Sequence, residues 1–239
     1  MQNCYVGDVG DFGKYGLLLA LRKAGLSPIG VVWYFVPRSN LPFAKKSNDG
    51  KHTTFLQDEK KRRKYEPCNS NLYWQLHSII NNNNRSVVAI REHSILGKDS
   101  QFFEKDVPHK NRDAWLREAL KAVDGCNLLV LDPDNGLMPN HPKDRRKYVE
   151  DYELKAFLQT NATVVLYQHL DLNHKSEYQA KRLCHRIKSL DSTREIEIIW
   201  FRRGTGRFFA IILPTQHKNI VEQGVQEFMK SFGEHAKKM

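Results

Sequence analysis

Short apolar runs that stop at turn residues recur along this chain of 239 residues. The clearest covers residues 128–131 and leads directly into Asp132-Pro133-Asp134-Asn135-Gly136. A run of this length, bounded by proline and glycine, is typical of a strand buried on both faces, as in a parallel sheet. Comparable runs predict further strands at 29–36, 86–90, 163–167, 195–201 and 208–213.

Apolar residues spaced three and four positions apart predict helices between these strands. The predicted helices cover 8–24, 71–80, 112–123, 148–158, 176–188 and 217–232. Strands that alternate with helices and then close in a hairpin indicate a three-layer α/β, Rossmann-like fold. Its sheet is expected to be mostly parallel, with an antiparallel C-terminal hairpin. No internal repeat or linker interrupts the pattern, so we expect residues 1–239 to form one domain, with a basic polar insertion at about 38–66.

Polar side chains crowd the end of the predicted strand at 128–131. Ligands of open α/β sheets bind beyond the carboxyl ends of the strands, so Asp132, Asp134 and Asn135 are candidate catalytic residues. An ordinary Asx-Pro-Gly turn would give the same pattern, but carboxylates gathered at the end of a buried strand favour a functional site. His169, at the end of the 163–167 strand, is a further candidate acid-base group or ligand, and a structural hydrogen bond explains it as well.

The amino-terminal segment is rich in glycine and in charge. Asp8, Asp11 and Lys14 are three positions apart, so they share one face if a helix begins near Asp8. Either aspartate can cap that helix. The group predicts a site for a polar cofactor or a metal, while a capped helix with a surface ion pair is an equally good explanation.

The formal net charge of +11 indicates a polyanionic partner, most simply nucleic acid. The basic residues fall into three groups, which favours a phosphate-contacting surface over scattered solvation. A solvated helix face remains the alternative for the first group. The groups are Lys60, Lys61, Arg62, Arg63 and Lys64; Arg145, Arg146 and Lys147; and Arg202, Arg203 and Arg207.

The four cysteines are far apart and form no paired-ligand motif, which argues against a zinc site or a disulfide framework. The segment Met1-Gln2-Asn3-Cys4 does not have the pattern of a signal peptide, and no apolar run is as long as a membrane span. We therefore expect a cytoplasmic protein that does not associate with membranes.

Several short motifs follow one another in an order that resembles a known family. Gly7-Asp8-Val9-Gly10-Asp11-Phe12-Gly13-Lys14-Tyr15 has the spacing of a Gly-Asn-x-x-Asp-x-x-Lys-His motif. Pro67-Cys68-Asn69-Ser70 loosely matches a Pro-Gly-Ser segment, Asp132-Pro133-Asp134-Asn135 an Asp-Pro-Pro-Tyr motif, and Gly204-Thr205-Gly206 a Gly-Ser-Gly before a last strand. The order is similar to that of the Rossmann-fold methyltransferases that use S-adenosylmethionine to methylate the exocyclic amine of one adenine in large-subunit ribosomal RNA.

The resemblance implies a methyltransferase-type sheet, S-adenosylmethionine as cofactor and a nucleic-acid base as substrate. In such a protein, Asp132, Asp134 and Asn135 would hold the target group. Glu92, which follows the predicted 86–90 strand, would accept hydrogen bonds from a ribose. The cofactor-binding residues that the resemblance implies are Gly7, Asp8, Asp11, Lys14, Tyr15 and Glu92.

Two departures from that family keep other functions open. The first predicted strand leads into Pro37-Arg38-Ser39-Asn40 without the family's acidic residue and glycine-rich turn, and Asn135 stands in place of an aromatic residue. A second hypothesis is a metal-dependent nuclease or phosphodiesterase, with phage defence as one setting for it and Mg²⁺ held by Asp8, Asp11, Asp132 and Asp134. A third hypothesis is a catalytically inactive module that binds nucleic acid.

Overall fold

The computed structural model describes residues 2–37 and 52–239. Within these residues, seven strands form one sheet in the order β2-β1-β3-β6-β8-β7-β9, and β4 and β5 form a small separate ladder. The strands are β1 (Ile29–Trp33), β2 (Gln101–Phe103), β3 (Leu128–Asp132), β4 (Gly136–Leu137), β5 (Tyr148–Val149), β6 (Thr163–His169), β7 (Glu195–Phe201), β8 (Arg207–Leu213) and β9 (Ala236–Lys238).

The described helices lie on both sides of this sheet, which gives the predicted three layers. They are α1 (Val9–Lys23), α2 (Glu59–Tyr65), α3 (Ser70–Asn81), α4 (Val87–Glu92), α5 (Arg112–Ala122), α6 (Asp151–Leu158), α7 (Ser176–Leu190) and α8 (Lys218–Phe232). One apolar core packs α1, α3, α4 and α8 against the sheet, and a second packs α5, α6 and α7 against the opposite face. Every residue of β1, β3 and β8 is buried, as expected of strands covered on both faces.

The sheet confirms the predicted mixture of directions. β2, β1, β3 and β6 pair in parallel, whereas β8 is antiparallel to both β6 and β7. The parallel register places Trp33 beside Asp132, and the antiparallel register places His169 beside Arg207. The carboxyl ends of β1, β3 and β6 therefore meet the start of β8 at one edge of the sheet.

The predicted strand at 86–90 is wrong. Residues from Val87 form helix α4, and the Ser86 side chain caps it by accepting a 3.1 Å hydrogen bond from the Ala89 backbone amide. A short apolar run fits a buried strand or one face of a short helix equally well, and the serine cap decides for the helix. Glu92 is consequently the last residue of an exposed helix end and does not follow a strand.

Several other boundaries differ from the prediction, and the strand predicted at 29–36 ends at Trp33. The helix predicted at 148–158 begins at Asp151, because Tyr148 and Val149 pair with Gly136 and Leu137. The insertion predicted at about 38–66 contains helix α2, which Asp58 caps; its 38–51 part lies outside the described residues. No described helix is both long enough and apolar enough to cross a membrane.

Candidate functional site

Helix α1 begins at the sheet edge where the parallel strands end. The Asp8 carboxylate caps it, accepting hydrogen bonds from the backbone amides of Gly10 at 2.7 Å and Asp11 at 3.0 Å. The Asp11 carboxylate turns back and accepts a 3.0 Å hydrogen bond from the backbone amide of Gly7. Both carboxylates thus satisfy orphan amides at the helix start and are held there with little freedom.

Lys14 joins this helix start to strand β3. Its ammonium lies 2.8 Å from Asp11 Oδ1 and 2.7 Å from Asp132 Oδ2. The three side chains are each no more than 4% exposed, so the bridge is a buried ionic triad. We call Asp11, Lys14 and Asp132 the triad below. Such a cluster is costly to desolvate and depends on the pairing of every charge.

The pKa values of Asp11 and Lys14 are shifted within the triad. Burial, reinforced by Asp8 and Asp132 and opposed by Lys14, raises the pKa of Asp11 to about 6. Burial alone would lower the pKa of Lys14, but the negative charges of Asp11 and Asp132 outweigh it and hold the pKa well above its ordinary value. Lys14 therefore stays charged, and Asp11 keeps its proton to a higher pH than an exposed aspartate does.

Arg207 extends the cluster from the start of β8. Its guanidinium lies 3.8 Å from Asp8 Oδ1 and donates to the Thr205 carbonyl oxygen at 3.0 and 2.8 Å. A Cβ atom added to Gly10 would lie 1.3 Å from Arg207 Nη1, so a side chain at position 10 would displace the guanidinium from its place beneath α1. Arg207 is 3% exposed, which removes it from the surface on which we predicted it to contact phosphates.

The turn after β3, residues 133–135, is called the tip below, and contacts from two sides hold it in place. Asp134 Oδ2 accepts a 2.7 Å hydrogen bond from Gln2 Nε2 and lies 3.7 Å from Lys147 Nζ. The Asn135 carbonyl oxygen accepts a 3.0 Å hydrogen bond from the backbone amide of His169. These contacts place Asn135 and His169 side by side.

A cleft of about 730 Å³ opens next to this tip. Asn135, Gln168 and His169 line it together with residues of α7. Burial, together with the positive charge of Arg207, lowers the pKa of His169. The imidazole is therefore neutral at pH 7 and able to accept a proton or a hydrogen bond.

Two buried donors next to the triad have no hydrogen-bond partner among the residues that the structure describes: Tyr15 Oη and Trp33 Nε1. The Tyr15 ring lies 4.8 Å from Lys14 Nζ, and Trp33 is the cross-strand neighbour of Asp132. Burial and the charge of Asp11 raise the pKa of Tyr15 well above its ordinary value, so its hydroxyl keeps its proton. Buried polar groups are rarely left unpaired, which marks this region as a place where a ligand can supply acceptors.

The other predicted residues lie elsewhere. No contact described joins Glu92 to the triad, and Arg146 is buried against Asp144. Arg202 and Arg203 donate hydrogen bonds to the carbonyl oxygen of Glu234 at 3.2 and 2.9 Å. These bonds hold the segment before β9 in place. The predicted nucleic-acid contacts that remain at the surface are Lys60, Lys61, Arg63, Lys64, Arg145 and Arg202, with Arg62, Lys147 and Arg203 partly exposed.

Several members of the site carry no signal in the sequence. Gln2 reaches Asp134 across 132 positions, and Arg85 Nε donates a 2.9 Å hydrogen bond to the Val6 carbonyl oxygen. Burial lowers the pKa of Arg85, and the nearby negative charges of Asp11 and Asp8 oppose that shift.

Within the described residues, no group of three His, Cys, Asp or Glu side chains is arranged to hold a metal ion. A scan of family models and a search of curated proteins found no match to the chain.

Proposed function

We propose that this protein is an S-adenosylmethionine-dependent methyltransferase that acts on a base of RNA or DNA. One observation carries the proposal: the 2.7 Å contact between Lys14 and Asp132. This contact joins the two motifs on which the family resemblance chiefly depends. It lies where the parallel strands of the sheet have their carboxyl ends. Ligand sites of open α/β sheets lie at that edge.

The residues around the triad fit a polar methyl donor. Tyr15 Oη and Trp33 Nε1 would donate hydrogen bonds to it, and Asp8 and Asp11 would accept hydrogen bonds from its amine or hydroxyl groups. When bound, S-adenosylmethionine supplies an electrophilic methyl group. Lys14 would hold Asp11 and Asp132 in fixed positions on either side of that site.

The cleft beside the tip would receive the target base. The Asn135 side chain makes no hydrogen bond within the described residues, so its amide is available to hold an exocyclic amine or ring nitrogen. His169, whose pKa is lowered, would accept the proton that the target loses. Catalysis would then consist mainly of holding the nucleophile in line with the methyl group.

The direct test is transfer of a radiolabelled methyl group to a mixture of RNA and DNA oligonucleotides. We expect label in the nucleic acid with the unaltered protein and a loss of at least about 100-fold with Asp132→Asn, because Asp132 anchors the tip to the triad. Asp99→Asn is the matched control, since Asp99 pairs with Arg22 at an exposed position. Absence of label from both nucleic acids would contradict the proposal.

A metal-dependent phosphodiesterase is the second candidate, because Asp11 and Asp132 both place an oxygen within 3 Å of one cationic atom. A Mg²⁺ ion would meet the same two carboxylates only after displacing the Lys14 ammonium, and solvent or substrate oxygens would have to complete its coordination. Degradation of plasmid or RNA with Mg²⁺, lost in Asp132→Ala, would favour this function. Intact nucleic acid with every divalent metal would remove it, and binding without any turnover would leave an inactive nucleic-acid-binding module.

A further inference from the structure

The cleft beside Asn135 and His169 has one wall whose chemistry the proposed function has not used. That wall is the exposed side of α7, and the floor below it is apolar, formed by Leu137, Leu183 and Phe208. The volume of the whole cleft is about 730 Å³. Pockets that enclose a small ligand span roughly 300–1,000 Å³, so the cleft lies within that range. An apolar floor together with the polar side chains of Asn135, Gln168 and His169 suits an aromatic base.

The α7 wall is strongly basic. Lys181, Arg182, His185 and Arg186 follow one another at helical spacing along the cleft. Arg186 is paired with Asp151 at 2.7 Å, whereas Lys181 and Arg182 are exposed and have no carboxylate partner within the described residues. The acidic residue of the cleft, Asp171, lies 3.0 Å from His174 Nδ1, a contact that neutralises its charge only when His174 is protonated. Lys181 and Arg182 outnumber this one carboxylate, so the net charge along the wall is positive.

Aromatic groups continue the basic wall toward the start of α7. Tyr178 is 51% exposed, His174 stacks on it with ring centroids 5.2 Å apart, and the Arg182 guanidinium lies 5.7 Å from its ring. Proteins that hold single-stranded nucleic acid combine these two features, cations that follow the backbone and aromatic faces on which bases stack. A duplex would keep its bases stacked on each other and away from such a ring.

We propose that the exposed face of α7 binds a single strand of nucleic acid, with Lys181 and Arg182 on its phosphates, Tyr178 stacked on one base and the neighbouring base in the cleft. This inference rests on the proposed function for the nature of the substrate. It moves the main phosphate contacts to α7 from the three basic groups that the sequence predicted, of which α2 carries the first. On α2, Arg62 lies between Glu59 and Glu66 at 3.9 and 3.5 Å, so part of that charge is already neutralised.

The test is fluorescence anisotropy with labelled single-stranded RNA and DNA of about 15 nucleotides, and with the matching duplex, in the absence of S-adenosylmethionine. We expect Lys181→Glu with Arg182→Glu to weaken single-strand binding about tenfold or more, and Tyr178→Ala about fivefold. Lys60→Glu with Lys61→Glu is the matched control, because it changes the net charge equally on an exposed face; we expect a loss below about threefold.

Three results would overturn the inference: equal losses in the two double variants, no loss in the α7 variant, or duplex binding as tight as single-strand binding. Because the assay contains no methyl donor, its outcome is independent of the methyltransferase proposal. If α7-dependent binding is found but no methyl transfer occurs, the strand-binding face stands and the proposed function fails. The RNA and DNA probes show which of the two nucleic acids the face prefers.

Discussion

The Lys14 ammonium bridges helix α1 to strand β3 by donating a 2.7 Å hydrogen bond to Asp132 Oδ2 while it contacts Asp11 at 2.8 Å. All three side chains are almost fully buried, so Lys14 contacts both carboxylates directly in a region that water does not screen. Removing one partner of a buried ion pair leaves an uncompensated charge, which is far more costly than losing an exposed pair.

Lys14→Met is therefore expected to lower the free energy of unfolding by about 3–5 kcal/mol in urea denaturation at pH 7. Lys23→Met is the matched control on the same helix, since Lys23 pairs with Glu227 at 2.9 Å in an exposed position. That control should lose no more than about 1 kcal/mol. Equal losses in the two variants would show that the triad is not a buried ionic cluster.

The raised pKa of Asp11 predicts how this stability depends on pH. The folded protein binds the Asp11 proton more tightly than the unfolded chain, because the pKa rises from 3.8 to about 6 on folding. The contribution of Asp11 is thus fully present below pH 3.8 and is lost as the pH rises through about 6. Across this pH range, the contribution of Asp11 to the free energy of unfolding falls by an amount on the order of 3 kcal/mol.

Urea unfolding of the unaltered protein and of Asp11→Asn at pH 4 and pH 7 measures this contribution. The unaltered protein should lose more stability between the two pH values than the variant does, because the variant has no titrating group at that position. If both proteins show the same difference between pH 4 and pH 7, Asp11 does not have the raised pKa.

A second buried ion pair supports the tip from below. Arg112 binds Glu153 through Nε and Nη2, both at 2.7 Å, and donates to the carbonyl oxygens of Arg145 and Tyr148 at 3.0 Å. Arg112→Met should cost about 3–5 kcal/mol of unfolding free energy. Arg186→Met, which breaks the half-exposed pair with Asp151, should cost about 1 kcal/mol or less, and a comparable loss there would contradict the prediction.

Asn135 is predicted to act on the target base and not on the methyl donor. Asn135→Ala should reduce methyl transfer about 10- to 100-fold while the dissociation constant for S-adenosylmethionine stays unchanged. Asn140→Ala, in the exposed loop that follows, is the control and should leave both values unchanged. Weaker S-adenosylmethionine binding in Asn135→Ala would assign this residue to the donor site instead.

The sequence predicted the layers of this fold more reliably than its short elements. The strands β1, β3 and β6 and the hairpin of β7 and β8 are long apolar runs with clear stops, and all are confirmed. The run after Ser86 was misassigned because six residues of a buried helix look like a strand until the serine cap is recognised. β2, with three residues, is too short to leave a periodic signal.

The candidate site was predictable as two separate groups of charges but not as one cluster. Asp8, Asp11 and Lys14 could be placed on a helix start, and Asp132 at a strand end, from local patterns alone. Their contact spans 118 positions and depends on how α1 crosses the sheet, which no local pattern specifies. The same limit explains why Gln2, which contacts Asp134, was not predicted and why Arg207 was expected at the surface.

Calorimetric titration of the folded protein with S-adenosylmethionine tests the central claim most directly. We predict saturable binding of one equivalent at submillimolar ligand. That binding should be weakened at least about tenfold by Lys14→Met, measured where the variant is still folded, and unchanged by Lys23→Met. A folded protein that gives no binding heat at millimolar S-adenosylmethionine at two temperatures would contradict the claim that the Lys14–Asp132 edge of the sheet is a methyl-donor site.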